Sequence, residues 1–341
     1  MASPSERTAK TVTIRDVAAA AQVSIGTASK ALNGRGRMRA ETRDRVLTAA
    51  RRLSFRPNPL AQGLLAGRTY TVGLVTGDSF GRFSIPVMLG AEDALDAGQI
   101  SVFMCDTRDD PIRERHYVER LLARRVEAII VTGRRTEPRP GIGRLPVPVV
   151  YAMTQSTDEG DVSLVPDDEG GAALAARHLL ATGRTHVGHI TGPRRFQAAR
   201  RRAQGLTAAL AEAGLRPAGE VLFGQWSEEW GRQAADVLLH AAPDVDAVFC
   251  GSDQIARGVA ETLRERGRRV PDDVALVGFD NWEPMALGCR PPLTTVDMNL
   301  GEIGRLAARH IMDAIDGRPA AGGVTVVPAS LVIRESTRRT G

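Results

Sequence analysis

Short apolar runs of this 341-residue sequence end repeatedly in small or polar residues that suit contact with a bound molecule. They are Thr76-Gly77-Asp78, Cys105-Asp106, Thr132-Gly133, Thr191-Gly192, Gly251-Ser252-Asp253 and Gly278-Phe279-Asp280. Glycine leaves room, and the carboxylates of Asp78, Asp253 and Asp280 can accept hydroxyl hydrogens. Phe83, Tyr151, Trp226, Trp230, Phe279 and Trp282 supply aromatic faces. Directional acceptors beside an apolar ring are what a polyol requires. Core packing competes for every one of these rings. Trp282 stands out, because it lies just past a run's end beside Asp280 and Asn281. The arginines at 194, 195, 200, 201 and 202 read either as a polyanion site or as one pocket cation, Arg202, with solvated neighbours.

Other chemistry finds less support. Gly77-Asp78-Ser79-Phe80-Gly81 fits the G-x-S-x-G elbow of hydrolases. No helix obviously begins at Ser79, and the late histidines, His240 and His310, sit in helical patterns rather than loops. His186 and His189 lie three apart on a strand pattern and point to opposite faces, so one metal does not suit them. Gly141-x-Gly143 lacks the third glycine of a dinucleotide loop, and there is no Walker sequence. The expectation is a protein without catalytic, metal or cofactor chemistry.

A second cluster of polar side chains lies near the N-terminus. Thr13-Ile14-Arg15-Asp16 reads as a capping box opening a helix over 14–21. Ser24 can cap a second helix running to Leu32, and the pattern Val46, Leu47, Ala50, Leu53 predicts a third over 41–53. Two short helices, a tight turn and small residues at their crossing form a helix-turn-helix pattern. Gln22 occupies the turn position where glycine would tolerate a positive φ more easily. The second helix turns Ser24, Ile25, Gly26, Thr27, Ser29, Lys30 and Asn33 outward, side chains suited to base edges and phosphates. Next, Asn58, Pro59 and Gly67 bracket a short helix. Its Leu64 and Leu65 suit either a minor-groove wedge or packing on the rest of the chain.

Charge divides along the same line. Residues 1–68 carry 13 Lys+Arg against 4 Asp+Glu, leaving 32 against 36 for the remainder, within a total of 45 against 40. A basic head on a slightly acidic body points to a polyanion partner for the head. Hydrophobic content of 43% excludes a disordered chain, and no apolar run reaches membrane-spanning length. The N-terminus has no apolar signal region, and three widely spaced cysteines fit a reducing compartment, the cytoplasm.

From Thr71 onward, apolar strand patterns alternate with helical ones. Strands are expected at 71–76, 100–105, 128–132, 147–151, 187–191, 245–250 and 274–279. Helices are expected at 85–97, 112–125, 168–182, 203–214, 229–241, 254–267 and 301–316. This alternation predicts parallel sheets with helices on both faces, long enough for two lobes.

The segments VTIRDVAAAAQVSIGTASKALNG and RPNPLAQGLLAGRTYTVGLV resemble the headpiece and hinge of the LacI/GalR family of transcription factors. The resemblance implies an all-α helix-turn-helix headpiece over 1–57, a hinge over 58–68, and an α/β two-lobed periplasmic-binding-protein-like effector domain over 69–341. It implies a lobe break near 165 and crossovers near 293 and 323, the first carried by Pro291-Pro292-Leu293-Thr294-Thr295. The DNA contacts it implies are Thr13, Ser24, Ile25, Gly26, Thr27, Ser29, Lys30, Asn33, Arg37, Asn58, Ala61, Gln62 and Leu64, the last as intercalating leucine. The effector contacts are Arg202, Asp280, Ser252 and Trp226, joined by Asp78, Phe83, Asp253 and Trp282 from the strand-end reading. The partners implied are pseudo-palindromic double-stranded operator DNA, a small-molecule effector such as a sugar or sugar derivative, and a second copy of the chain in a homodimer or tetramer. No cofactor, metal or membrane is implied. After the first strand the family's Asp-x-x-Asn-Pro-Phe-Phe is replaced by Asp78-Ser79-Phe80-Gly81-Arg82-Phe83-Ser84. Arg82 in a pocket mouth points away from a neutral hexose and toward an anionic or unusual ligand. A periplasmic sugar receptor would lack the basic head, and a nucleoid protein would not need the large body.

Overall fold

The computed structural model describes residues 12–32, 36, 38–55, 69–95 and 100–338. The chain divides after Thr69 into two compact units.

The first unit has three helices, α1 (Ile14–Ala20), α2 (Ile25–Leu32) and α3 (Ala40–Arg52). Val17, Ala18, Ala21, Ala28, Ala31, Val46, Ala49 and Ala50 are buried between them. Alanine dominates because short helices crossing at a tight turn leave little room at the contact. Asp16 accepts from the Thr13 N–H at 2.7 Å, the carboxylate half of the expected capping box. The Thr13 hydroxyl, however, donates to the same carboxylate at 2.7 Å. Gln22 holds a φ of +54°, the left-handed turn anticipated at that position.

In the second unit, strands β1 (Thr71–Thr76), β2 (Ser101–Asp106), β3 (Ala128–Thr132), β4 (Pro138–Arg139), β5 (Val149–Ala152), β6 (Gln155–Ser156) and β7 (Val162–Pro166) precede β8 (Val187–Thr191), β9 (Leu222–Phe223), β10 (Ala247–Cys250), β11 (Ala275–Phe279), β12 (Thr294–Asp297), β13 (Gly323–Val327) and β14 (Ser330–Val332). Between them run α4 (Ser84–Ala94), α5 (Pro111–Ala123), α6 (Asp168–Ala181), α7 (Gln197–Glu212), α8 (Glu228–Ala241), α9 (Asp253–Glu265), α10 (Glu283–Ala286) and α11 (Leu300–Ile315).

One sheet has the order β13-β7-β5-β3-β1-β2 and the other β14-β12-β11-β10-β8-β9. Pairings are parallel except β12 with β14. Every residue of β3 and of β11 is buried, as strands covered on both faces must be.

The two later lobe crossovers fall later than expected. The chain first passes from one sheet toward the other at 166–168, between β7 and α6. Thr294–Asp297 still pairs with β11, so the chain leaves the second sheet only at 297–300, where Asn299 takes φ +54°. Gly323–Val327 pairs with β7, so the return comes at 327–330 rather than near 323. The proline run at 291–292 therefore precedes a second-lobe strand instead of marking the crossing. The body begins at Tyr70, one residue beyond the expected boundary.

Helix α11 packs on α4 backbone to backbone. A Cβ on Gly304 would stand 2.0 Å from the Val87 carbonyl oxygen, so a side chain there would force the helices apart. This contact ties the late segment of the chain into the first lobe.

Candidate functional site

Helix α2 presents one side to solvent and buries Ala28 and Ala31 on the other. Ser24, Ile25, Gly26 and Lys30 are exposed, while Thr27 and Ser29 are half-buried. The Ser24 hydroxyl accepts from the Thr27 N–H at 3.1 Å and meets the Thr27 hydroxyl at 2.8 Å. Ser24 thus caps the helix while its oxygen stays at the surface. Thr13 is exposed at the start of α1. Arg15, Arg39, Arg43 and Arg45 add exposed cations to this unit. Asn33, Arg37, Asn58, Ala61, Gln62 and Leu64 lie outside the described residues. So do the expected hinge helix and leucine wedge.

In the body, a cavity of about 230 Å³ opens at the carboxyl ends of both sheets. Open α/β sheets place ligands there, because successive strands release their loops toward the same edge. Arg82, Phe83, Arg134, Arg135, Thr136, Glu137 and Met153 come from the first lobe. Phe196, Ala198, Arg202, Trp226, Ser252 and Asp280 come from the second. Of the eight expected effector contacts, Phe83, Arg202, Trp226, Ser252 and Asp280 line this cavity.

Asp280 is the electrostatic centre. It follows β11 with a φ of +106°. Its Oδ2 accepts from Arg82 of the opposite lobe, and its Oδ1 lies 3.5 Å from Arg202. Arg202 is 4% exposed. It donates through Nε to Asp168 at 2.8 Å and through Nη1 to the Gly251 carbonyl at 2.5 Å, and it lies 3.6 Å above the Phe279 ring. Burial raises the Asp280 carboxyl from its ordinary range, against the opposing pull of Arg82 and Arg202. Arg82 also donates to Gln254 Oε1 at 2.8 Å and stacks 4.5 Å from the Trp282 ring and 5.0 Å from Phe83. A second bridge between the lobes runs from Glu137, whose Oε1 accepts the Gln197 N–H at the first turn of α7.

Asp78 and Asp253 are corrected, and Trp282 falls in an adjoining cavity. Asp78 is buried and spends its Oδ2 on the N–H groups of Phe83 and Ser84, at 2.7 and 3.0 Å, so it caps α4 rather than facing the cavity. Asp253 is fully buried; it accepts from the Thr295 hydroxyl at 2.5 Å and the Trp282 N–H at 2.7 Å. Burial first, then the charge of Asp280, pushes the Asp253 carboxyl up to about 8. Trp282 lines not this cavity but an adjoining one of about 660 Å³ that shares Arg82, Phe83 and Asp280 with it, and it serves as the platform under Arg82.

Tyr151 and Phe279 are core rings. The Tyr151 hydroxyl accepts from the Ile142 N–H at 2.8 Å, and burial pushes it up to about 12. Trp230 donates its indole N–H to the Thr191 carbonyl at 3.0 Å. The wall residues Arg134, Arg135, Thr136, Glu137, Met153 and Phe196 carried no sequence signal. They follow β3, β5 and β8, and only the facing of the two lobes brings them together.

The hydrolase geometry is not formed. β1 ends at Thr76 and the next helix begins at Ser84, so Ser79 sits in a loop instead of a strand-to-helix elbow. His189 is buried and stacked on Phe249 at 4.8 Å, whereas His186 is exposed beside Asp244. Among the described residues no cluster of three metal-ligating side chains occurs.

The model of the bacterial regulatory proteins of the lacI family matches residues 13–58, and that of the periplasmic binding protein-like domain matches residues 176–337. The chain is 33% identical over 334 residues to the HTH-type transcriptional regulator CelR of Thermobifida fusca, covering 95% of this chain and 98% of that one. It superposes on the Lac repressor dimer bound to operator and the anti-inducer ONPF with a TM-score of 0.76 and 26% identity, covering 96% of this chain and 99% of that one. On a CelR–cellobiose complex the TM-score is 0.63 at 31% identity, with 95% and 99% covered. Helix-turn-helix head, two-lobed body and full-length similarity agree: this chain belongs to the LacI family of bacterial DNA-binding transcription regulators.

Proposed function

We propose that the chain is an operator-binding repressor whose hold on DNA is set by a small molecule, a sugar or sugar derivative, bound between the two lobes. The observation that carries the coupling is the pair of bridges across the cavity, Arg82 to Asp280 and Glu137 to the first turn of α7. A ligand entering there must reorganise contacts that set the angle between the lobes. Its effect on operator affinity equals its differential affinity for the two arrangements, about 1.4 kcal/mol for each tenfold change.

The exposed side of α2, with Ser24, Ile25, Gly26, Thr27, Ser29 and Lys30, is the proposed base-reading surface, flanked by Thr13. Asn33, Arg37 and the hinge residues Asn58, Ala61, Gln62 and Leu64 complete it from sequence alone. Ile85 and Leu89 on α4 and Phe103 and Met104 on edge strand β2 are exposed apolar side chains on packed neighbours, which suits a second copy of the chain. We assign no catalysis to the chain, and its place is the cytoplasm. Among the described residues no helix is long and apolar enough to cross a membrane.

The test is a gel-shift titration of the full chain on operator fragments selected from random DNA, with and without each member of a sugar panel. Trp226→Ala is expected to lower effector affinity at least tenfold while leaving effector-free operator binding in place. Normal effector response in that variant counts against the cleft. Leu64→Ala is expected to weaken specific operator binding; an unchanged operator affinity removes the wedge role.

A further inference from the structure

We infer that the effector is an anion of monosaccharide size, whose carboxylate or phosphate takes the place that Glu137 holds at the N-terminus of α7, in the cavity wall that Arg135 shares. This deepens the reading of the cleft as the effector site and rests on it.

The acceptors facing the cavity are largely committed. Asp280 is held between Arg82 and Arg202, and Ser252 accepts from the Ile255 N–H. One oxygen of Glu137 is taken by Gln197. The unspent groups in the cavity wall include donors. Arg82 Nε and the Thr136 hydroxyl are buried with no partner, and Thr136, 5% exposed, lines the cavity. Arg135 stands 5.2 Å from the Phe196 ring and Arg195 stands 4.6 Å from the same ring. Among the described residues neither has a carboxylate partner. A neutral polyol needs acceptors as well as donors and finds most of the acceptors occupied; an oxyanion needs donors only.

The 16-residue helix α7 adds the partial positive charge of its N-terminus beside these guanidinium groups. A tethered carboxylate, that of Glu137, already rests there, which shows the chemistry the spot accepts. About 230 Å³ is below the ~300–1,000 Å³ of pockets for drug-sized ligands, so the part of the anion that this cavity takes is small, while a hollow of about 660 Å³ that shares Arg82, Phe83 and Asp280 adjoins it. An incoming oxyanion that displaces Glu137 removes one of the two bridges between the lobes, and so joins recognition to the change in lobe angle.

The experiment is calorimetric titration of the full chain, at constant ionic strength, with matched triplets: glucose, glucuronate and glucose 6-phosphate; ribose, ribonate and ribose 5-phosphate. At least one charged member is expected to bind ten times more tightly than its neutral parent. Which one it is separates carboxylate from phosphate recognition. Arg135→Ala should weaken that ligand at least tenfold, whereas Glu137→Gln, which removes a competing charge and keeps the size, should tighten it. Neutral sugars binding as well as their anions, no binding by any anion, or a tight anion indifferent to both substitutions would each overturn the inference. If that indifferent ligand is still lost in Trp226→Ala, the cleft stands and only the anion assignment falls. If Trp226→Ala also leaves it unchanged, the cleft itself is not the site.

Discussion

A single buried carboxylate illustrates how position decides the role of a residue. Asp253 sits at the end of an apolar strand, as a ligand-binding aspartate would, yet it is walled in and carries its proton well above the usual carboxylate range. Its folded value of about 8 exceeds the unfolded value near 3.8, so the neutral form is the one the fold favours. The stability it contributes is complete below the unfolded value and is lost as pH rises through about 8. Urea melts at pH 5, 7 and 9 should therefore show the wild type losing stability relative to Asp253→Asn, by on the order of 4 kcal/mol across the range. Parallel curves for the two proteins would refute the raised value. Arg202 poses the opposite case. It neutralises Asp168 and Asp280 in the interior, so Arg202→Ala is expected to cost about 3–5 kcal/mol by leaving buried charge unpaired. Loss of effector response in that variant would confound binding with folding, which is why Trp226 is the better probe of the cleft.

At the scale of elements, close approach and turn geometry are the controlling quantities. The α4–α11 contact leaves no volume for a side chain at Gly304, and the nearest atom is a carbonyl oxygen that cannot swing aside. Gly304→Ala should lower the urea midpoint of the body by an amount equivalent to about 1–3 kcal/mol. In the head, Gln22 holds a left-handed conformation that costs a non-glycine residue roughly 1–2 kcal/mol. Gln22→Gly recovers part of this after its own entropic cost, so a gain of roughly 0.5–1 kcal/mol is expected, read from hydrogen-exchange protection of α1 and α2. Unchanged or weaker protection would mean that the strain is already relieved by neighbouring contacts.

For the whole molecule, the division of charge and of structure coincide. The head carries the surplus cations and the body is close to balanced. Operator affinity should fall steeply with salt, with a slope of about −0.9 per phosphate neutralised. Lys30→Ala should flatten that slope by about one per head and weaken all sequences alike, if its partner is phosphate. A change confined to one base position of the operator would instead make it a base reader. Linkage requires reciprocity: an effector that loosens the operator tenfold must itself bind tenfold more weakly to the operator complex.

The order of strands and helices, the helix-turn-helix and its strained turn were legible in the chain because each depends on local pattern: period-two and period-3.6 apolar spacing, capping side chains, and the few residues that suit a tight turn. The strands at 138–139, 155–156, 162–166, 222–223, 294–297, 323–327 and 330–332 were not, since pairing partners far away in sequence create most of them. The late crossovers escaped for the same reason: Thr294–Asp297 belongs to the sheet whose edge it completes, whatever the prolines before it suggest. In the cleft, residue type alone nominated Arg202, Trp226 and Asp280. It could not separate Asp280, held between two arginines at the cavity wall, from Asp78 and Asp253, which end similar strands but are consumed in holding loops and helices together. Nor could it find Arg135, Thr136 and Glu137, whose neighbours come from the other lobe. The sequence by itself determined the family, the two units and the polyanion-binding head. Only the tertiary structure decided which polar groups remain unspent, because that depends on where two separately folded sheets bring their strand ends face to face.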